Sequence, residues 1–169
     1  MNPTKRNSSA LRVTRGAIIA SMYVALTFVS NLFGLASGVI QLRLSEALLV
    51  LPVFFSEAVP GLYVGCLLSN ILTGCAPWDI VFGSLATLIG AFFAYALRRL
   101  PKKIIFIATV PNILANTVIV PFVLSYAYGV PESIPFIALT VAIGEILSCG
   151  VLGTILYYPM DRMIRKYFR

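Results

Sequence analysis

Apolar residues run along this chain in long blocks, interrupted by polar residues at a few well-separated places. The blocks at 16–33, 79–97, 104–126 and 134–158 are each long enough to be read as a membrane-crossing helix, which takes about 20 residues. Two further blocks, 44–55 and 60–73, fall below the roughly 17-residue minimum for a span. Pro52 and Pro60 interrupt regular helix there, and Ser56-Glu57-Ala58 supplies a polar turn between them. Broken helices of this kind are tolerated in a bundle where protein covers them or where they line a cavity. A re-entrant hairpin is the alternative, with the same parity. The expected fold is an all-α integral membrane protein: a six-helix transmembrane bundle with short, broken second and third helices, forming a single domain over residues 1–169.

Composition agrees with the pattern. The chain is 59% hydrophobic and 11% charged, against about 25% charged residues in soluble domains. Every Lys and Arg except Arg43 falls in one of three clusters: Lys5/Arg6/Arg12/Arg15, Arg98/Arg99/Lys102/Lys103 and Arg162/Arg165/Lys166/Arg169. Basic residues flanking spans stay on the cytoplasmic side, so residues 1–13 and 159–169 are expected as cytoplasmic tails. Parity then places Glu57 inside and residues 34–43, 74–78 and 126–133 outside. The basic start followed by an apolar run resembles a signal peptide, but it is long and lacks a cleavage site, so it is read as a retained first helix. The net charge of +7 is accounted for by topology and contact with the anionic cytoplasmic leaflet, not by nucleic acid. The chain has no His and its 3 Cys lack CxxC spacing. This disfavours metal sites and conventional hydrolytic chemistry, and no cofactor is expected.

Polar residues inside the blocks are the candidate chemistry, because ionisable groups in spans usually face a pathway or site. Glu145 lies roughly 15 Å below the outer end of the last helix at 1.5 Å per residue. Asn116 reaches a similar depth on the preceding helix, and Asn112 is one turn further in on the same face. A second set gathers at the outer mouth: Arg43, Glu46, Asn70 and Asp79, with Gly83, Ser84 and Thr87 nearby. The structural alternatives are interhelical hydrogen bonding for Glu145 and the Asn residues, helix-terminus electrostatics for Asp79, interfacial anchoring for Trp78 and a local Arg43–Glu46 ion pair. Gly16, Ala17, Ala20, Ser21 and Ala25 form a small-residue stripe on the first helix, suited either to packing inside the bundle or to docking a separate membrane subunit. No Walker A pattern is present, so the chain shows no energy source of its own.

The runs Gln41-Leu-Arg-Leu-Ser-Glu-Ala-Leu-Leu-Val-Leu-Pro52, Pro60-Gly-Leu-Tyr-Val-Gly-Cys-Leu-Leu-Ser-Asn70 and Asp79-Ile-Val-Phe-Gly-Ser-Leu-Ala-Thr87 resemble the QueT family. These are substrate-binding S components of energy-coupling factor transporters, linked to uptake of queuosine precursors. The resemblance implies a multi-pass protein of the bacterial plasma membrane with both termini cytoplasmic. It also implies a transmembrane coupling protein and two ATP-binding-cassette ATPases as partners, and toppling of the loaded subunit as the mechanism. Ala17, Ala20, Ser21 and Ala25 match the stripe that contacts the coupling protein, with Ser21 a departure from the usual Ala. Solute would bind beneath the first outer loop, where Arg43 and Glu46 sit. A 7-deazaguanine carries a ring N–H beside an exocyclic amine, which a carboxylate can accept together. Glu145 is the first choice for that acceptor, followed by Glu46 or Asp79, with Asn116 at another edge. Tyr126 and Trp78 offer faces for stacking, and Arg43 with Glu46 is expected to close the loop or reach a carbonyl.

Overall fold

Helix α1 (Pro3–Leu32) begins well before its apolar block, so the basic stretch around Arg12 and Arg15 is helical and continuous with it. The computed structural model describes residues 3–35 and 41–167; positions 36–40 of the expected first outer loop lie outside them. Four helical stretches are long and apolar enough to cross a membrane: Ser9–Leu32, Pro77–Ala96, Lys102–Tyr128 and Ile134–Lys166. These are the long blocks of the sequence, and with the two short segments they make an all-helical membrane bundle. The last stretch has 33 residues. At 1.5 Å per residue it is about 50 Å long, more than the roughly 30 Å hydrocarbon core, so it carries its basic residues clear of the lipid tails.

Leu44–Val53 is a 3₁₀ helix of 10 residues, with Ser45, Glu46 and Leu48 through Pro52 all buried. It packs against α1, α3 (Pro77–Ala96), α6 (Gly153–Tyr167) and the π-helical turn Ile146–Leu152. The segment is therefore an internal strut enclosed by the longer helices, not a span facing lipid. Irregular backbone survives at membrane depth when protein encloses it. Its polar groups are met by one face of α1, where Tyr23, Thr27 and Ser30 recur at helical spacing. Ser30 Oγ accepts the Leu44 N–H at 2.9 Å, Thr27 donates to Ser45 Oγ at 2.9 Å, and the Tyr23 hydroxyl donates to Glu46.

At the other end of this descent Arg15 pairs with Glu57 at 3.3 Å and lies 5.3 Å over the Phe55 ring. Segment 44–57 thus runs down α1 from the level of Ser30 to that of Arg15, roughly 22 Å at 1.5 Å per residue. It crosses the bundle and does not turn back midway. Burial pushes the Glu57 carboxyl up, but its own backbone N–H, Arg15 and Ser56 donate to it and hold it below the usual glutamate range. A second tie at this basic end joins Lys102 and Arg165 to Asp161, the latter at 3.0 Å.

Helix α2 (Ala58–Leu72) returns against α1 at very close range. A Cβ added at Gly61 would lie 2.7 Å from the Gly16 carbonyl oxygen, and one at Gly65 would lie 2.8 Å from Tyr23 Cβ and 3.0 Å from Ala20. This is a small-xxx-small crossing, in which missing side chains let two backbones meet. Helix α4 (Val110–Tyr128) follows a 3₁₀ stretch, Lys102–Thr109, and ends at Gly129, whose φ of 64° suits a left-handed cap. Helix α5 (Ile134–Glu145) passes through the π turn Ile146–Leu152 into α6, so the block expected as one regular helix is continuous but underwound beyond Glu145.

Gly61→Leu is expected to lower the unfolding midpoint in detergent markedly, because overpacking a tight contact costs about 1–3 kcal/mol. Gly150→Ala is the control, since its Cβ would meet only Ile113 Cδ1 at 3.6 Å and Ile146 Cγ2 at 4.0 Å. Equal midpoints for the two variants would rule out the close α1–α2 crossing.

Candidate solute-binding site

Three elements bring Glu46, Asn112 and Glu145 to one point inside the bundle. The 3₁₀ helix supplies Glu46, α4 supplies Asn112, and Glu145 stands where α5 gives way to the π turn. The Asn112 Nδ2 donates to Glu46 Oε2 and to Glu145 Oε2, each at 3.0 Å. All three residues are buried, Glu46 at 1% exposure, Asn112 at 1% and Glu145 at 7%. An ionisable group within a span costs about 2.5–3.5 kcal/mol on insertion scales. A hydrogen bond to a charged group returns about 1.5–3 kcal/mol. Glu46 has two described donors, Tyr23 and Asn112; Glu145 has Asn112 alone. An ionised carboxylate has room for about four donors, so Glu145 keeps the larger spare accepting capacity. Its place at a π turn fits that role, since π turns inside α-helices are frequent at functional sites.

The position of Asn112 depends on α3. A Cβ at Gly90 would fall 2.3 Å from Asn112 Oδ1, 2.5 Å from its Cβ and 2.8 Å from its Cα. The amide oxygen rests there, buried and without a hydrogen-bond partner among the described residues. Asn116, 2% exposed, turns its Nδ2 back to the Asn112 carbonyl at 3.2 Å and has no described bond to Glu145.

Arg43, Asn70 and Asp79 converge in a separate cluster nearer the end opposite the basic clusters. Arg43 Nη2 donates to Asn70 Oδ1 at 3.0 Å, and Asn70 Nδ2 donates to the Asp79 carbonyl at 3.4 Å. The Asp79 carboxylate accepts from the Tyr128 hydroxyl at 3.0 Å, and that hydroxyl accepts the Ala76 N–H at 2.9 Å. The expected Arg43–Glu46 ion pair does not form among the described residues. Arg43 is held by Asn70 through its side chain and by Ser148 Oγ, 3.1 Å from its backbone N–H. Glu46 turns inward to Tyr23 and Asn112 instead.

Trp78 and Tyr126 do come together, but elsewhere. They line an apolar hollow of about 360 Å³ between α3 and α4, with Phe82 and Phe122. Trp78 is 63% exposed and Tyr126 80%, and each stacks on its own helix neighbour, at centroid distances of 5.9 and 6.5 Å. Helix geometry explains the separation. Leu114, Val118, Phe122 and Tyr126 recur every four residues along the outer face, whereas Asn112 and Asn116 occupy the inner one. The stripe on α1 is divided as well. Ala20 is buried against Gly65 of α2, while Ala17, Ser21 and Ala25 are exposed. Ser21 donates to the Ala17 carbonyl at 2.9 Å, so its hydroxyl is satisfied within the helix.

Sequence reasoning missed Tyr23, Thr27, Ser45 and Ser148 as supports of the site. The recurrence of hydroxyl residues along one face of an apolar helix was the available signal for the α1 pair. No local signal marks Ser148.

A helical membrane bundle that buries two carboxylates on one amide, with no metal-ligating cluster among the described residues, defines a class: an integral membrane protein with a polar site enclosed by its helices. The chain belongs to the QueT transporter family, whose model matches residues 13–162. It is 33% identical over 85 residues to the queuosine precursor transporter QueT of Lactococcus lactis subsp. cremoris. The matched region covers 50% of this chain and 49% of that relative, so the chain spans about half the length of the curated relative it matches. No solved structure matches the chain.

Gly90→Ala is expected to displace Asn112 and destabilise the protein by about 1–3 kcal/mol, read as a lower unfolding midpoint in detergent. A wild-type midpoint would show that α3 and α4 do not approach this closely.

Proposed function

We propose that the chain is the solute-binding S component of an energy-coupling factor importer, and that it captures a 7-deazaguanine queuosine precursor outside the bacterial plasma membrane. The observation that carries this reading is Glu145, a buried carboxylate with a single described donor, at a π turn in the middle of the bundle. A guanine-type edge presents adjacent N–H donors, which a carboxylate with spare lone pairs accepts as charge-assisted bonds. The family assignment and the name of the Lactococcus relative support the solute class. Asn112 holds the carboxylate in place, and Glu46 braces Asn112 from the other side. Arg43, Asn70 and Asp79 form the rim of the site, and Asn116 acts through Asn112. Trp78 and Tyr126 have no part in solute stacking on this reading.

The basic clusters lie in the cytoplasm, which puts both termini there and the rim outside. Energy comes from partners: a transmembrane coupling protein and two ATP-binding-cassette ATPases. The exposed face Ala17/Ser21/Ala25 is the docking surface for the coupling protein, since small residues let a partner helix approach closely. Beside it a hollow of about 400 Å³ opens between α1 and α2, lined by Val13, Ala17, Pro60 and Val64 among others.

Calorimetric titration of the purified protein with 7-deazaguanines is expected to give saturable binding. Glu145→Gln should weaken it about 10- to 100-fold, the equivalent of losing a bond of about 1.5–3 kcal/mol. Binding by this variant at wild-type affinity would remove Glu145 from the site. Ala17→Leu combined with Ala25→Leu should abolish co-purification with the coupling protein while leaving solute affinity within about twofold. Retained co-purification would move the docking surface elsewhere.

A further inference from the structure

We propose that, independently of any solute, the groove between α3 and α4 holds an acyl chain of a phospholipid from the leaflet opposite the basic clusters. The ester region of that lipid lies at Trp78 and Tyr126. The hollow between these two residues does not stand alone. A second hollow of about 430 Å³ adjoins it, sharing Val118 and Ile119 in its lining and reaching Phe93 and Pro111. Together they follow α4 from Tyr126 to Pro111, roughly 22 Å at 1.5 Å per residue. Half of the hydrocarbon core is about 15 Å deep, so the groove spans the whole chain depth of one leaflet.

The spacing of the walls is set from within. Behind the groove the two helices meet where a Cβ on Gly90 would lie 2.8 Å from Asn112 Cα. At the outer end the Tyr128 hydroxyl of α4 ties to Asp79 and to the Ala76 N–H just before α3. The width between these two points is therefore fixed, and no water is available in the hydrocarbon to fill the space. An empty groove would forfeit dispersion contacts along its whole length. A flexible chain can follow it. A partner helix needs small residues for close approach, and the rows bordering this groove are mainly aromatic and branched.

Preference for a phospholipid arises at the mouth. Trp78 and Tyr126 are largely exposed and present an indole N–H and a phenol O–H, neither bonded among the described residues. Aromatic rings with a polar tip suit the boundary between chains and headgroups. There they donate to ester carbonyl or phosphate oxygens, acceptors that a maltoside detergent lacks. No charged residue lines either hollow, so the net charge of the headgroup makes little difference.

Trp78 is the sole tryptophan of the chain, so its fluorescence reports on this groove alone. The full-length protein in maltoside micelles is titrated with phosphatidylcholine brominated along its chains, whose bromines quench indole on contact. Quenching is expected to saturate, with a half-point near one lipid in about ten micelle molecules, a preference over detergent of about tenfold. Tyr126→Phe keeps the ring, removes the donor and should raise the half-point about threefold or more. Ala127→Phe fills the upper hollow and should abolish saturation; Tyr126→Phe carries the test if that variant fails to fold. Brominated phosphatidylglycerol should give a half-point within about twofold of phosphatidylcholine. Wild-type quenching that rises in proportion to lipid fraction without saturating means passing contact only and overturns the proposal. So does a half-point unchanged in the variants that fold, or one that moves about tenfold with headgroup charge. A dimer on native mass spectrometry with Trp78 shielded from the bromines also overturns it, and gives the groove to a second copy of the chain.

Discussion

A 3₁₀ helix carrying Ser45 and Glu46 at the centre of a membrane bundle is stable only while protein meets its polar groups. No water competes for them there, and each unmet group costs several kcal/mol. That requirement explains much of what surrounds Leu44–Val53. It accounts for the hydroxyls on one face of α1 that answer Leu44, Ser45 and Glu46 in turn. It also accounts for Asn112, which reaches the opposite side of Glu46 from α4. The enclosing helices must in turn come close, and glycines permit this at Gly61 and Gly65 on α2 and at Gly90 on α3.

The same requirement separates the polar residues into two groups of different character. At the rim, Arg43, Asn70, Asp79 and Tyr128 make a chain of hydrogen bonds in which a cation and a carboxylate are both present. Deeper in, the carboxylates are held by uncharged donors. Arg43 links the groups through its backbone, since its N–H is bonded to Ser148 in the π turn that begins beyond Glu145. A change in the path of the chain at Arg43 is thus felt at the turn that orients Glu145.

Much of this was legible in the sequence. Block lengths gave the long helices, and Pro52 and Pro60 marked the short segments within a few residues of where they lie. The depth estimate set Asn116 of α4 level with Glu145, but it is Asn112, one turn further in, that bonds to Glu145. Pairings that depend on direction were harder to see. Arg43 and Glu46 are three residues apart, a spacing that brings side chains together on an α-helix; here Arg43 precedes the 3₁₀ helix in extended conformation and points elsewhere. Trp78 and Tyr126 sit at the right height but on the lipid-facing rows of their helices. Hydropathy alone does not distinguish a core-facing aromatic from a lipid-facing one, because both surroundings are apolar. The 3₁₀ and π stretches are set by packing, and nothing in their local composition announces them.

Helix α1 has two contrasting faces. One bears Ala17, Ser21 and Ala25 on the outside; the other bears Tyr23, Thr27 and Ser30, bonded in succession to the 3₁₀ helix. Hydrogen bonds in a water-free interior have no solvent partner to exchange with, so sliding or tilting α1 by itself means breaking them without replacement. The helix and the strut beside it must therefore move as one rigid body. A force applied to the outer face of α1 arrives at Glu46 as displacement, with little lost to bending on the way.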